Sequence, residues 1–204
     1  EQMRREQFDF IIIDEAHHSM AAGYQKLWDM FPYSKKLGVT ATPWRMNHSG
    51  FTSLFGDIVL SHNIEWFVNN GYLSNYDYVS IRRDSEIQKT INSINRYGVD
   101  GDYLESELSN LFDKDKIRAE LYKSYCQFAK GKKGIIYAID RQHAANIRDL
   151  YAAHGVPICM IDGTTPEIER QELIDNFKTG KIQVIVNVNI FSEGFDCPDI
   201  EFIQ

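Results

Sequence analysis

Phe8-Asp9-Phe10-Ile11-Ile12-Ile13-Asp14-Glu15-Ala16-His17-His18 is an apolar run broken only by Asp9 and followed at once by two carboxylates. A continuous apolar run of this length predicts a strand buried on both faces, as in a parallel sheet. In such sheets ligands bind just beyond the carboxyl ends of the strands. Asp14 and Glu15 fall at that point. Adjacent carboxylates there can divide the labour: one holds Mg²⁺, directly or through water, while the other orients an attacking water. A buried strand ending in a solvated acidic turn would account for the same residues without any chemistry. The rest of the chain decides between the two.

Downstream, Tyr24, Leu27, Trp28 and Phe31 recur at i, i+3, i+4 and i+7, one apolar helix face that Pro32 ends. Lys36-Leu37-Gly38-Val39-Thr40 predicts a short strand running into Ala41-Thr42-Pro43-Trp44-Arg45. Small hydroxyl residues there suit a second loop beside the acidic one, where they can hydrogen-bond its side chains. Residues 51–60 predict a small helix and a strand. Ile64 to Val68 predict a helix with Gly71 as its stop. Tyr76 to Arg83 alternate as a strand does. Residues 84–113 are polar and carry no motif, with helical pieces expected at 87–94 and 103–112. Ile117, Leu121, Tyr125 and Phe128 share a helix face. From Ile135 onward strand, helix, strand, helix, strand follow in order, a doubly wound α/β pattern. Within it Thr165 is the expected N-cap, with Pro166 at the first helical position.

The composition is that of an ordinary globular protein: 204 residues, 43% hydrophobic and 25% charged. No apolar run reaches the length of a membrane span and no signal peptide is visible, so a cytoplasmic protein is expected. A net charge of −7 argues against a wholly basic nucleic-acid coat, though not against a local basic groove. Cys126, Cys159 and Cys197 match neither a disulfide framework nor a zinc spacing, and read as reduced cysteines. His17 and His18 lack the His-Glu-x-x-His spacing of a zinc hydrolase. The chain does not begin at methionine and enters a strand almost immediately, which reads as a stretch of something longer.

Asp14-Glu15-Ala16-His17 resembles the DEAH box of superfamily 2 helicases. Thr40-Ala41-Thr42, followed by Pro43 and Arg45, resembles motif III of that family. Gly134-Ile135-Ile136-Tyr137 resembles motif IV. Ile161-Asp162-Gly163 with Arg170 resembles the segment leading to motif V, and Val184 to Pro198, with its Glu193-Gly194-Phe195-Asp196-Cys197-Pro198 portion, resembles motif V itself. The resemblance is closest to DEAH-type DNA helicases and the translocase subunits of type III restriction enzymes. It implies two RecA-like P-loop NTPase lobes with parallel sheets: the end of the first, incomplete lobe in residues 1–75, and most of the second in residues 76–204.

The resemblance further implies ATP and Mg²⁺ as cofactors, with Asp14 on the metal, Glu15 activating water and His17 coupling the nucleotide to the other lobe. Thr40, Ala41 and Thr42 would sense nucleotide, and Gly194 and Asp196 would line it from the second lobe. Arg45, Tyr137, Arg141, Gly163, Asn187 and Val188 are the candidate nucleic-acid contacts. Many relatives carry Thr-Asp where this chain has Val188-Asn189, which leaves main-chain N–H groups to meet a phosphate there. The implied activity is ATP-driven movement along nucleic acid, DNA ahead of RNA, with partner subunits in a larger complex compatible with it. Two rival readings are a restriction-type translocase that leaves the duplex closed and a non-catalytic binding scaffold. No Gly-x-x-x-x-Gly-Lys-Ser/Thr and no Gln-x-x-Gly-Arg-x-x-Arg occurs in the 204 residues, so this stretch alone is expected to be inactive.

Overall fold

The computed structural model describes residues 8–19, 22–42, 54–80, 85, 88–89, 92–94, 104–191 and 195–204. The chain divides into two compact units. One is Glu1–Arg83 with Val99–Asp102, and the other is Asp84–Gly98 with Tyr103–Gln204.

In the first unit, β1 (Phe10–Ile13) and β2 (Lys35–Gly38) pair in parallel, Ile12 opposite Leu37 and Ile13 opposite Gly38. A 3-10 turn (Ala16–His18) and α1 (Ala22–Met30) connect them. One sheet face is covered: Ile13 is buried and Phe55 packs against Gly38. Trp28 stacks edge-on to Phe55, and its indole N–H donates to the Leu54 carbonyl. The other face carries Phe10, Ile12 and Leu37, with Phe10 51% and Ile12 63% exposed. Burial on both faces is therefore not what β1 has: among the described residues α1 and Phe55 cover one side of a two-stranded ribbon only. Gly38 is required by packing, because a Cβ there would lie 2.7 Å from the Ala16 Cβ.

Helix α2 (Ile64–Asn69) begins where Asn63 accepts from the Trp66 N–H; Asn70 is its C-cap, and Gly71 follows with a φ of +76° that suits glycine. Residues 54–60 and 76–80 form neither helix nor strand. The alternation at Tyr76 and Tyr78 leaves both rings exposed, so it serves no sheet face there.

The second unit is a three-layer α/β domain. Its strands β3 (Gly134–Tyr137), β4 (Ile158–Ile161), β5 (Val184–Asn187) and β6 (Phe202–Ile203) form a parallel sheet in the order β4-β5-β3-β6. The helices are α3 (Glu105–Phe112), α4 (Asp115–Phe128), α5 (Arg141–Ala153) and α6 (Glu167–Lys178). Successive strand residues point to opposite faces. Ile136, Val184 and Val186 pack with Tyr125, Ala144, Ile147 and Tyr151 of α4 and α5. Ile135, Ile185 and Ile161 pack with Phe177 of α6. This two-sided cover is why β3 and β5 read as unbroken apolar runs.

Two local expectations change. Phe128 is exposed, because the buried face of α4 runs through Tyr125 to Ala129, with Tyr122 and Cys126 packed against it. Pro166 is the N-cap of α6, and the Thr165 hydroxyl instead accepts from the Asp162 N–H. The three cysteines are free, and burial pushes the Cys159 thiol up to about 12. Among the described residues no helix is long and apolar enough to cross a membrane.

Candidate nucleotide and nucleic-acid sites

Beyond the end of β1 the chain turns sharply. Glu15 sits in the left-handed region at φ 48°, ψ 48°, where a side chain costs about 1–3 kcal/mol. The Asp14 carboxylate accepts the Glu15 N–H at 2.9 Å and so holds the turn from one side. The Ala16 N–H donates to the Val39 carbonyl at 3.0 Å and ties the turn to the end of β2. Ala16 is buried, and its Cβ occupies the space that a side chain at Gly38 would need.

This turn brings the two candidate loops together. His17 Nδ1 lies 2.9 Å from the Thr40 hydroxyl and 3.2 Å from Glu15 Oε2. The Thr42 N–H donates to the Thr40 hydroxyl at 3.1 Å, and the Thr42 hydroxyl lies 3.5 Å from the same imidazole nitrogen. Asp14, Glu15, His17, Thr40 and Thr42 thus meet at the carboxyl ends of two adjacent parallel strands, with Ala41 exposed between the threonines. His17 therefore lies within contact distance of both Glu15 and the second loop. Arg45 lies outside the described residues.

An exposed Asp14 beside a half-exposed Glu15 fits Mg²⁺, which keeps most of its waters and takes one or two carboxylates together with phosphate oxygens. Among the described residues no group of three or more His, Cys, Asp or Glu could form an all-protein metal cage. A metal shared with a nucleotide does not need one.

In the second unit the candidates line the carboxyl ends of β3, β4 and β5. Asp140 caps α5 by accepting the His143 N–H at 2.8 Å, and it also accepts from the Ser109 hydroxyl. These bonds hold its carboxyl below the ordinary carboxylate range. Arg141 follows, and its Nε donates to Asp162 Oδ2 at 2.6 Å. Asp162 Oδ1 accepts from both the N–H and the hydroxyl of Thr164, each at 2.7 Å. Led by the Thr164 hydroxyl, these donors hold the Asp162 carboxyl at about 2. Gly163 is exposed, with nothing within 4 Å of where a Cβ would stand.

Asn187 and Val188 do not face outward as nucleic-acid contacts would. Asn187 is fully buried; its Nδ2 donates to the Ile136 carbonyl and its Oδ1 accepts from the Ile190 and Phe191 N–H groups. Val188 packs on the core, and its N–H donates to the Ile161 carbonyl. Both side chains shape the loop after β5 from within: Asn187 ends a strand that is covered on both faces, and Val188 packs on the core directly after it. The Tyr137 hydroxyl donates to the Phe191 carbonyl at 2.8 Å and pins the same loop. Asn189 is exposed, with φ +53°. Asp196 is exposed, and Gly194 lies outside the described residues.

Three residues have positioning roles that the motif resemblances do not assign: Gly38, Asp140 and Asp162. Gly38 has no sequence signal of its own. Asp140, ahead of a helix, has the signature of an N-cap. Asp162-Gly163-Thr164 has that of an Asx turn.

Comparison with known proteins adds an independent line. Residues 114–203 match the family described as Helicase conserved C-terminal domain, and residues 1–45 match Type III restriction enzyme, res subunit. A 51.5 kDa protein of a Lactococcus phage is 33% identical over 93% of this chain and 40% of its own length. The DNA 3'-5' translocase XPB2 of Sulfurisphaera tokodaii is 27% identical over 94% of this chain and 50% of its own. A Type I restriction enzyme EcoAI endonuclease subunit of Escherichia coli is 26% identical over 69% of this chain and 19% of its own. The chain therefore spans half or less of the length of these curated relatives. The parallel α/β architecture is that of the RecA-like lobes to which the motifs pointed.

Proposed function

This chain belongs to the superfamily 2 helicases, and from that premise we propose that it forms part of an ATP-dependent helicase or translocase acting on DNA. The observation that carries the reading is the meeting of Asp14, Glu15, His17, Thr40 and Thr42 at the ends of two paired parallel strands. Bound ATP–Mg²⁺ would supply the phosphoryl group and the cation that shares its charge. Asp14 holds the metal side of the site. Glu15 orients the attacking water and takes its proton. His17, set between the Glu15 carboxylate and the Thr40 hydroxyl, passes the state of the site to the loop of Thr40, Ala41 and Thr42. Residues 1–75 belong to the first lobe and residues 76–204 to the second, where Gly194 and Asp196 serve the nucleotide. Arg45, Arg141 and Gly163 meet the nucleic-acid backbone, with Tyr137, Asn187 and Val188 shaping the surface behind it. The relative named a DNA translocase supports DNA over RNA.

Glu15→Gln in the intact protein tests the site. Hydrolysis is expected to fall by about 10²–10⁴ while ATP binding persists; turnover equal to wild type removes Glu15 as the base. Gly163→Ala tests the strand contact. Neither packing nor backbone conformation requires glycine there, so stability should stay within about 0.5 kcal/mol while nucleic-acid binding weakens. A second reading, translocation on closed duplex, is favoured by the match to the type III restriction subunit over residues 1–45. ATP-driven strand displacement would exclude it, and hydrolysis without displacement would favour it.

A further inference from the structure

Arg141 is held in an unusual way for a surface arginine. Its side chain is 65% exposed, yet its Nε is anchored at 2.6 Å to a carboxylate that is almost wholly buried. Among the described residues neither Nη has a hydrogen-bond partner, so the outer edge of the guanidinium faces solvent as a two-pronged donor. The anchor itself is rigid. Asp162 is 4% exposed and directly follows β4. Its Oδ1 is occupied by the Thr164 N–H and hydroxyl, and its own N–H is held by the Thr165 hydroxyl. The backbone at Arg141 is equally constrained, since Asp140 caps α5 immediately before it and is itself bonded by Ser109.

We propose that Asp162 is a positioning residue for nucleic-acid binding: it fixes the Arg141 guanidinium by Nε so that the Nη edge stands ready for a backbone phosphate. The inference rests on the nucleic-acid reading given above. A guanidinium has donors to spare for both partners; it meets a carboxylate through one and a phosphate bidentately through two others. An arginine side chain loses substantial rotamer freedom when it is ordered on a ligand. Here the folding of the β4 turn has already met that cost. Asp162 never touches the phosphate and adds no positive charge, so its contribution is to geometry and not to ion release. A lysine at position 141 would keep the charge but lack the rigid fork, so it could not meet a phosphate bidentately while anchored to the carboxylate through a separate donor.

The prediction is a coupling, read as binding of the protein to a fluorescein-labelled single-stranded oligodeoxynucleotide, and to its duplex, over a series of salt concentrations. Arg141→Ala should weaken binding about tenfold and lower the salt slope by about one. Arg141→Lys should keep the slope and lose most of the affinity. Asp162→Ala should weaken binding about fivefold with the slope unchanged, and should have no further effect in the Arg141→Ala background. Asp162→Asn, which keeps an acceptor for the Thr164 amide, takes its place if Asp162→Ala does not fold. Equal losses from the Asp162 change in both backgrounds would make it a merely structural residue. A gain in affinity would mean that Asp162 masks the arginine. Either result, or wild-type binding that Arg141→Ala leaves unchanged, overturns the inference alone. Failure of the wild-type protein to bind either oligonucleotide overturns the nucleic-acid reading and the inference with it.

Discussion

Strands β1 and β5 are built from the same kind of residues and end in the same kind of place, yet their surroundings differ. Ile11, Ile12 and Ile13 lie in a two-stranded ribbon covered on one face, and Ile12 projects into solvent. Val184, Ile185 and Val186 lie between two neighbouring strands with helices on both sides, and none of the three is exposed. What differs is the number of elements that close over the run. The comparison also separates two uses of a strand end. In the first unit the loops after β1 and β2 present exposed carboxylates and hydroxyls. In the second, Asn187 turns inward and spends its whole amide on holding the next loop.

The largest stability effect should come from core truncation. Ile185→Ala is expected to cost about 2–5 kcal/mol, as deletion of a fully buried aliphatic side chain does. Ile12→Ala should stay within about 0.5 kcal/mol, since that side chain is mostly in water already. Chemical denaturation can assign each loss to its unit. Trp28, Trp44 and Trp66 all belong to the first, so fluorescence follows that unit while far-ultraviolet circular dichroism follows both. Equal losses from the two substitutions would end the contrast between the strands.

Asn187→Ala should come next, at about 1–3 kcal/mol, because it leaves buried N–H groups at Ile190 and Phe191 and a carbonyl at Ile136 short of a partner. Faster amide exchange at Ile190 and Phe191 would place the loss in the loop. Unchanged exchange and stability would show that the amide is dispensable.

The smallest effect is on acid stability. The Asp162 carboxyl is held at about 2 in the folded protein, against 3.8 ordinarily, so between those values the unfolded chain binds more protons than the folded one. The stabilisation it provides is complete above about pH 4 and is lost as the pH falls toward 2. The fall in Tm over that window should be shallower in Asp162→Asn than in wild type. Parallel curves would remove the carboxylate from the acid response.

Much of this was legible in the residues. The apolar runs, the helix faces, the stop at Gly71 and the order of motifs all depend on near neighbours in the chain, and Gly71 has the expected positive φ. The second unit's α/β order was readable for the same reason. Other features lay beyond that range. Alternation at Tyr76 and Tyr78 looks like a strand, but a strand needs an edge to pair with, and sequence periodicity carries no information about that edge. The resemblance to motif V makes Asn187 an expected outward contact, because the earlier part of that motif faces the nucleic-acid backbone in the family. The direction of the Asn187 side chain is settled by non-local partners: the Ile136 carbonyl on the neighbouring strand and the Ile190 and Phe191 N–H groups of the next loop.

By itself the sequence determined which residue types stand at each strand end, and with them the chemistry available: two carboxylates, an imidazole, two hydroxyls, one arginine. That follows because local patterning sets where a strand stops and what comes after it. Only the tertiary structure decided which of these groups meet. His17 and Thr40 are 23 residues apart and share a hydrogen bond because β1 and β2 pair in parallel. Arg141 and Asp162 are 21 apart and meet because the sheet brings the loops after β3 and β4 to the same end. Whether an apolar side chain counts as core was decided the same way, by how many layers close over it.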